Sequence, residues 1–224
     1  RAEDAGWLVA ARGNGYTDPE SLWLRAGLAP SVLERLAEAD AFAGLGLSRR
    51  DALWAVRAIR APQPLPLFSN PLDGEGLIEP QVLLPAMHLG EEVVEDYIAT
   101  RLTLRAHPME LLRPAMPGLT AHDQLADVAS KRVTCCGLVI TRQRPGTASG
   151  VVFLTLEDET GIVNVVIWQK LYDRFRRAVI AARMLRVTGR IQRQHGVIHV
   201  IAEQVEDISP MLDILLVQEG ASSP

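Results

Sequence analysis

Features of membrane and secreted proteins are missing from this sequence. No uninterrupted apolar run approaches the roughly 20 residues that cross a bilayer, and Arg1 to Ala5 contain no signal-peptide core. Cysteine is scarce, because Cys135 and Cys136 are the only two in 224 residues. They are neighbours in a predicted strand, where their side chains point to opposite faces. This usage fits a reducing cytosol, so we expect a cytoplasmic protein without a membrane partner.

The composition is typical of a globular chain. Hydrophobic residues make up 48% of the sequence and charged residues 22%, which excludes wholesale disorder. The length suffices for one large or two small domains with a buried core. Because the chain starts without a methionine, within a predicted helix, we expect it to be a fragment of a longer protein.

Basic charge is concentrated in the second half of the sequence. Residues 1–130 hold 11 Lys and Arg against 18 Asp and Glu, whereas residues 131–208 hold 12 against 7. Within residues 170–193, eight basic residues stand against one acid. This concentration predicts a phosphate-binding surface. A solvated helix face with adjoining strands is the alternative.

Residues 1–60 predict a unit of four short helices. The turn Gly44-Leu45-Gly46 precedes the last of them. A Gly-hydrophobic-Gly turn before a helix N-terminus is the helix-hairpin-helix device, in which free backbone N–H groups contact a DNA phosphate. Arg49 and Arg50 would lie beside that phosphate. The alternative is an ordinary helical connection with two solvated arginines.

Helix starts and core positions in this unit follow from residue type. Asp18, Ser31 and Ser48 are the predicted N-caps, and Ser31 forms a capping box with Glu34. The aromatic residues at core-like spacings are predicted to pack inside the unit: Trp7, Trp23, Phe42 and Trp54.

The middle of the chain divides into a linker and a connector. Residues 61–86 are rich in proline and lack periodicity, which predicts an extended linker. Residues 87–130 return to helical spacing and predict a helical connector. His107 is isolated from other metal-ligand types in the sequence, so we expect no metal site there.

Residues 131–208 predict a five-stranded barrel, because the apolar period changes there from about 3.6 to 2. Three strands, a helix and two strands form the element order of the OB-fold, a small Greek-key barrel that binds oligonucleotides. The fold class is therefore α+β, with a helical unit before the barrel and a tail at 209–224. The predicted elements are Val133–Arg144, Val151–Asp158, Ile162–Trp168, the helix Lys170–Ala181, Met184–Arg193 and Val197–Glu203.

Strand alternation predicts which barrel residues face a ligand. Val152, Leu154 and Leu156 form the apolar side of the second strand, so Phe153 should point outward. In the third strand Asn164, Val166 and Trp168 should do the same, unless Trp168 packs under the following helix. Aromatic faces there would stack bases while nearby arginines guide phosphates. The predicted nucleic-acid-binding residues of the barrel are Arg142, Arg144, Phe153, Asn164, Trp168, Lys170, Arg190 and Arg193.

Several long strings of the sequence match one protein family. The strings are Gly150 to Trp168 of the barrel, Leu36 to Phe42, Arg50 to Trp54, Leu89 to Tyr97, and Leu104 to Pro108. In this order they resemble the C-terminal region of bacterial error-prone C-family DNA polymerases. The resemblance covers residues 1 to about 208, and the tail after Pro210 departs from it.

This resemblance implies a parent protein that is a DNA-directed DNA polymerase, a nucleotidyltransferase acting in translesion synthesis and SOS mutagenesis. It implies Mg²⁺ as that enzyme's cofactor, single-stranded or primer–template DNA as ligand, and a Y-family-like mutasome partner and the sliding clamp as protein partners. The chain itself contains neither an Asp-x-Asp pair nor a His-x-His cluster. We therefore expect no catalytic site, metal site or cofactor in this chain.

Two other classes of function stay open at this point. A stand-alone single-strand-binding accessory protein would use the same barrel without a polymerase. A protein-docking module would use the barrel and the acidic helix near Glu91 to bind mutasome or clamp components.

Overall fold

Helices fill the first half of the chain and strands most of the second in the computed structural model, which describes residues 1–59, 84–146, 150–194 and 197–217. The helices are α1 Ala2–Ala10, α2 Pro19–Ala26, α3 Pro30–Glu38, α4 Arg49–Ala58, α5 Leu89–Thr100, α6 Pro108–Leu112 and α7 Gln169–Ala181. The strands are β1 Arg132–Gln143, β2 Val152–Asp158, β3 Gly161–Ile167, β4 Met184–Gln194 and β5 Val197–Asp207. In the described ranges, no helix has the length and apolarity to span a membrane.

The chain separates into two units. One comprises Arg1–His88 with Glu95–Leu102, and the other comprises Leu89–Val94 with Thr103–Pro224. Most of the predicted linker at 61–86 lies outside the described residues, as does the tail from 218 onward. The extended character of that linker therefore stays a prediction.

In the first unit, local capping explains two of the helix starts. Asp18 accepts a hydrogen bond from the backbone N–H of Ser21, and Ser48 accepts one from that of Asp51. The predicted capping box at Ser31 is wrong, because α3 begins at Pro30 with Ala29 as its N-cap and no side-chain cap. Proline suits a first helical position, since the N–H group that it lacks would have no partner there.

The aromatic residues of the first unit differ in burial. Phe42 is buried in its apolar core and Trp23 packs partly buried against that core. The packing prediction is wrong for Trp7 and Trp54, which are 57% and 58% exposed. The helix α4 buries Ala52 and Val56, and Trp54 lies about 200° around the helix from each of them.

The second unit contains a closed barrel with strand order β1-β2-β3-β5-β4. The strands β3 and β5 pair in parallel, and the other neighbours pair antiparallel. Alternate residues of β2 and β3 fill the interior: Val152, Leu154, Leu156, Val163, Val165 and Ile167. This topology, with α7 between β3 and β4, confirms the predicted OB-fold and the α+β class.

Two glycines allow barrel strands to approach closely. A Cβ atom at Gly137 would lie 2.5 Å from the carbonyl oxygen of Glu157, and one at Gly189 would lie 2.2 Å from that of Ile201. The pairing register shifts between Thr188 and Gly189, where β5 bulges against β4 with Glu203 as its extra residue. Only residues without a side chain fit at these contacts.

The adjacent cysteines face different apolar clusters. Cys135 lies in the barrel interior, whereas Cys136 packs outside it with Met109 and Met184. Their opposite orientation is as predicted from strand alternation. Burial raises the pKa of both thiols to about 12, so both are uncharged at neutral pH.

Candidate nucleic-acid interface

The outer face of β2 and β3 presents two exposed aromatic side chains. Phe153 pairs across the sheet with Val166 and is 37% exposed. Trp168 follows the end of β3, two residues beyond Val166, and is 58% exposed. Its exposure argues against packing beneath α7. Val166 lies on the same side of the sheet as Phe153, as predicted, but its side chain is buried there.

A polar row lies beside the aromatic pair. Thr155 pairs with Asn164, and the Thr155 hydroxyl donates to the amide oxygen of Asn164 at 3.4 Å. Asn164 pairs on its other side with His199 of β5. Because paired residues point to the same side of a sheet, these three half-buried side chains continue the outer face below Phe153.

The ends of β1, β3 and α7 meet at one rim of the barrel. The guanidinium of Arg144 lies 4.7 Å from the ring centre of Tyr172 in α7. Gly150, with φ +80°, lies against the side chain of Gln169. Trp168 is the N-cap residue of α7, and Lys170 is exposed in its first turn. The rim thus places Arg144, Trp168 and Lys170 near one end of the outer face.

Arg142 has a structural role that the sequence did not reveal. Its Nε donates to the carbonyl oxygen of Val179 at 2.9 Å, and its Nη2 donates to that of Ala182. These carbonyls close the C-terminal end of α7, where the helix dipole favours a cation. Burial lowers the pKa of Arg142. The prediction that Arg142 guides a phosphate is corrected, because its guanidinium is held by the end of α7.

Arg193 is held in a similar way. Its Nη2 donates to the carbonyl oxygens of Leu125, Ala126 and Val128 at 3.2, 3.0 and 3.0 Å. This contact ties β4 to the turn that precedes the barrel, so the predicted phosphate role of Arg193 is also corrected. Arg190 is exposed, but its Nε lies 2.6 Å from a carboxylate oxygen of Glu203. Glu203 also pairs with Arg132.

The predicted DNA contact of the helical unit is not supported for Arg49. Its side chain is 1% exposed and forms an ion pair with Asp96, so it cannot lie against a phosphate at the surface. Arg50 donates from Nη1 to the carbonyl oxygen of Pro85 at 2.7 Å. Asp51 adds a negative charge to the first turn of α4, which opposes the approach of a phosphate to that helix end.

Asp158 organises the hairpin that presents β2 and β3. Its Oδ1 accepts from the backbone N–H groups of Thr160 and Gly161 at 2.8 and 3.0 Å, and from the Thr160 hydroxyl. Its Oδ2 accepts from the backbone of His122 at 3.0 Å and from Arg113 at 2.9 Å. Burial acts to raise the pKa of Asp158, but these hydrogen bonds and the nearby His122 outweigh it and lower the pKa.

Strand alternation does not identify this anchor. The local signal is an aspartate two residues before a Thr-Gly pair, a pattern in which the carboxylate binds backbone N–H groups two and three residues later. The partners Arg113 and His122 are 45 and 36 positions away, so no local pattern marks them.

Among the residues that the structure describes, no group of three or more His, Cys, Asp or Glu is arranged to hold a metal ion.

Curated proteins with similar sequences include error-prone DNA polymerases. Residues 133–208 match the family described as OB-fold nucleic acid binding domain. An error-prone DNA polymerase of Ruegeria pomeroyi is 72% identical over 212 residues, which cover 95% of this chain and 19% of that protein. Error-prone DNA polymerase 1 of Rhizobium meliloti is 50% identical over 93% of this chain and 19% of its own length.

One solved structure adds a more distant likeness. Asparaginyl-tRNA synthetase from Pyrococcus horikoshii, complexed with asparaginyl-adenylate, is 26% identical with a TM-score of 0.36, over 42% of this chain and 23% of that chain. The curated relatives are far closer in sequence, and this chain spans about a fifth of their length. The chain corresponds to a segment of an error-prone DNA polymerase, and this segment includes an OB-fold nucleic acid binding domain.

Proposed function

We propose that the outer face of β2 and β3 binds single-stranded DNA, as part of a polymerase that copies damaged templates. The observation that supports this most is the exposure of Phe153 and Trp168 on neighbouring positions of that face. A base stacked on an aromatic ring contributes about 1 to 3 kcal/mol, and such stacking tolerates any sequence. Bases of a single strand are free to stack in this way, whereas those of a duplex are already stacked.

The polar row would contact the bases or sugars beside the stacked rings. The amide of Asn164 can both donate and accept hydrogen bonds, and its contact with Thr155 uses only the oxygen. Arg144 at the rim is exposed, and its guanidinium is held by a ring rather than by a carboxylate. A phosphate near Phe153 can therefore approach Arg144 without displacing an acidic partner.

The experiment is an anisotropy titration of labelled oligo-dT with the full chain over a salt series. Phe153→Ala and Trp168→Ala should each weaken binding at every salt concentration by about 5-fold to 100-fold, the equivalent of about 1 to 3 kcal/mol per base. The log–log salt slope should change little, because no phosphate contact is removed. Trp54→Ala is the matched control, since Trp54 has the same 58% exposure as Trp168 but lies in the helical unit. Equal binding by all three variants would contradict the proposal.

A protein-docking function is the second candidate, favoured by aliphatic exposure on the same sheet. Ile162 is 60% exposed and Val197 is 44% exposed, and the parallel register brings them side by side at the end of the face away from Trp168. A Y-family-like mutasome protein or the sliding clamp would be the partner. Ile162→Asp should abolish capture of such a partner and leave oligo-dT binding within twofold. If Ile162→Asp instead abolishes oligo-dT binding, this end of the face binds DNA.

We also propose that nucleotidyl transfer in the parent polymerase uses parts outside this segment. The full chain should extend no primer when supplied with Mg²⁺ and deoxynucleotides. Extension that EDTA abolishes would contradict this expectation.

A further inference from the structure

Four basic residues of α7 form no ion pair with the described residues, although Arg177 is near enough to the Asp207 carboxylate to interact with its charge. Among the described residues, no ion pair or hydrogen bond engages the side chains of Lys170, Arg174, Arg176 and Arg177, although Arg174 lies 5.1 Å from the ring centre of its neighbour Phe175. All four side chains are exposed. By contrast, Arg132, Arg186 and Arg190 are paired with glutamates of β5. Among the described residues, α7 therefore carries four cations that form no ion pair.

Two of these cations share one side of the helix, and a third follows a kink. Lys170 and Arg174 are spaced at i and i+4, which places them within about 40° of one another. The backbone is non-helical at Phe175, with φ −113° and ψ 25°, and Arg177 lies beyond this kink. Lys170 and Arg174 are separated by about 6 Å along the helix axis. Arg174 and Arg177 also line a depression beside β5 together with Phe175 and Asp207. The Asp207 carboxylate there accepts hydrogen bonds from the backbone N–H and hydroxyl of Ser209.

This basic side begins where the aromatic face ends. Trp168 is both the outermost aromatic of the proposed stacking face and the N-cap of α7, and Lys170 follows two residues later. A strand that stacks a base on Trp168 and continues outward meets Lys170 next, and then Arg174. Repeated unpaired cations match a repeated anion, and a nucleic-acid backbone carries one phosphate per nucleotide.

We propose that Lys170, Arg174 and Arg177 form a second contact site, which binds the sugar–phosphate backbone of the DNA strand that leaves the β2–β3 face past Trp168. The path of the strand rests on the proposed function, whereas the affinity of the helix for phosphates does not. The site has no sequence preference, since it contacts no base. It increases the number of nucleotides that the protein contacts without adding a position at which a base stacks.

The test compares a short and a long oligo-dT, of about 6 and about 20 nucleotides, within the range of OB-fold site sizes and beyond it. The variant is Lys170→Gln with Arg174→Gln and Arg177→Gln in the full chain. On the long oligonucleotide its log–log salt slope should fall by about 2, because each neutralised phosphate on a single strand contributes about 0.7. On the short oligonucleotide the slope should stay unchanged.

The matched control removes the same number of charges from the helical unit: Arg12→Gln, Arg57→Gln and Arg101→Gln, all three exposed. The proposal is overturned if the control lowers the slope as much as the α7 variant, or if the α7 variant weakens both lengths equally. It is also overturned if the α7 variant binds the long oligonucleotide with the same affinity and salt slope as the unchanged chain. That result would favour an acidic protein as the ligand of the helix.

These variants test base stacking on the β2–β3 face and phosphate binding by α7 independently. If Phe153→Ala and Trp168→Ala bind normally while the α7 variant loses the salt slope on the long strand, the helix is a phosphate site and the β2–β3 face is not the ligand face. If the aromatic variants weaken binding and the α7 variant does not, the face binds DNA and the helix does not.

Discussion

Arg49 and Asp96 form a buried ion pair across 47 positions of the chain, inside the helical unit. The pair joins the first residue of α4 to the middle of α5 and explains why an arginine beside the Gly-Leu-Gly turn is not at the surface. We expect Arg49→Ala to lower the free energy of unfolding by about 3 to 5 kcal/mol, because it leaves a buried carboxylate without its cation. Urea denaturation followed by circular dichroism measures this loss.

The double variant Arg49→Met with Asp96→Leu separates charge from packing. Replacing both ions with apolar groups of similar size should recover most of the lost stability. If the double variant is less stable than Arg49→Ala, the unpaired carboxylate does not explain the stability lost in Arg49→Ala.

A second prediction concerns Arg142. Arg142→Ala should lower the free energy of unfolding by about 1.5 to 3 kcal/mol, because two carbonyls at the end of α7 lose a charged hydrogen-bond donor. Its salt slope for oligo-dT should equal that of the unchanged chain. Arg144→Ala is the paired control, expected to cost about 1 kcal/mol or less, since the Arg144 side chain is exposed and contacts only the ring of Tyr172. A reduced slope in Arg142→Ala alone would restore its predicted role at a phosphate.

A third prediction concerns the hairpin anchor. Asp158→Ala removes the acceptor for five hydrogen bonds at the β2–β3 turn and should cost about 3 to 5 kcal/mol. Amide hydrogen exchange should accelerate at Thr160, Gly161 and His122 more than in β4. Asp158→Asn keeps the shape and part of the acceptor capacity, so it should cost less. Equal losses in the two variants would contradict the role of the charge.

A fourth prediction concerns acid pH. Burial lowers the pKa of His107 and His122 from the ordinary value of 6.5. The unfolded chain then binds more protons than the folded chain below about pH 6.5, so stability is full above that pH and declines as the pH falls toward the folded pKa values. Each histidine can contribute a slope of at most about 1.4 kcal/mol per pH unit.

The depressed pKa of Asp158 adds a loss at lower pH, because its contribution is present above about pH 3.9 and disappears as the pH falls through its folded value. Urea midpoints between about pH 7.5 and 5 isolate the histidine part. The variant His107→Gln with His122→Gln should flatten that pH dependence. An unchanged slope in this variant would show that other groups carry it.

The barrel was predictable because its signals are local. Alternation in β2 placed Phe153 outside and Leu154 inside, and each predicted strand start lies within one residue of the observed one. Val166 lies on the outer side of the sheet opposite Phe153, as alternation predicts, but its side chain is buried there. Burial there depends on which residues of neighbouring strands lie above it, and the period of a single strand does not contain that information.

The contacts of individual arginines were not predictable either, because they too depend on residues that are distant in the sequence. Arg142 and Arg193 are held by backbone carbonyl oxygens that lie 37 to 68 positions away in the sequence. A carbonyl oxygen is present at every residue, so no sequence pattern marks those that a fold leaves open. Net charge predicted a basic barrel but not which of its cations form ion pairs.

Closure of the barrel by β5 has a consequence for how the protein is made. This strand pairs with both β3 and β4, and it is the last of the five to emerge from a ribosome. Until residues 197–207 have been synthesised, two strands present open edges whose N–H and C=O groups can pair with other nascent chains. The nascent domain therefore stays prone to aggregation until its last strand has been translated, whatever the hydrophobic content of the earlier strands.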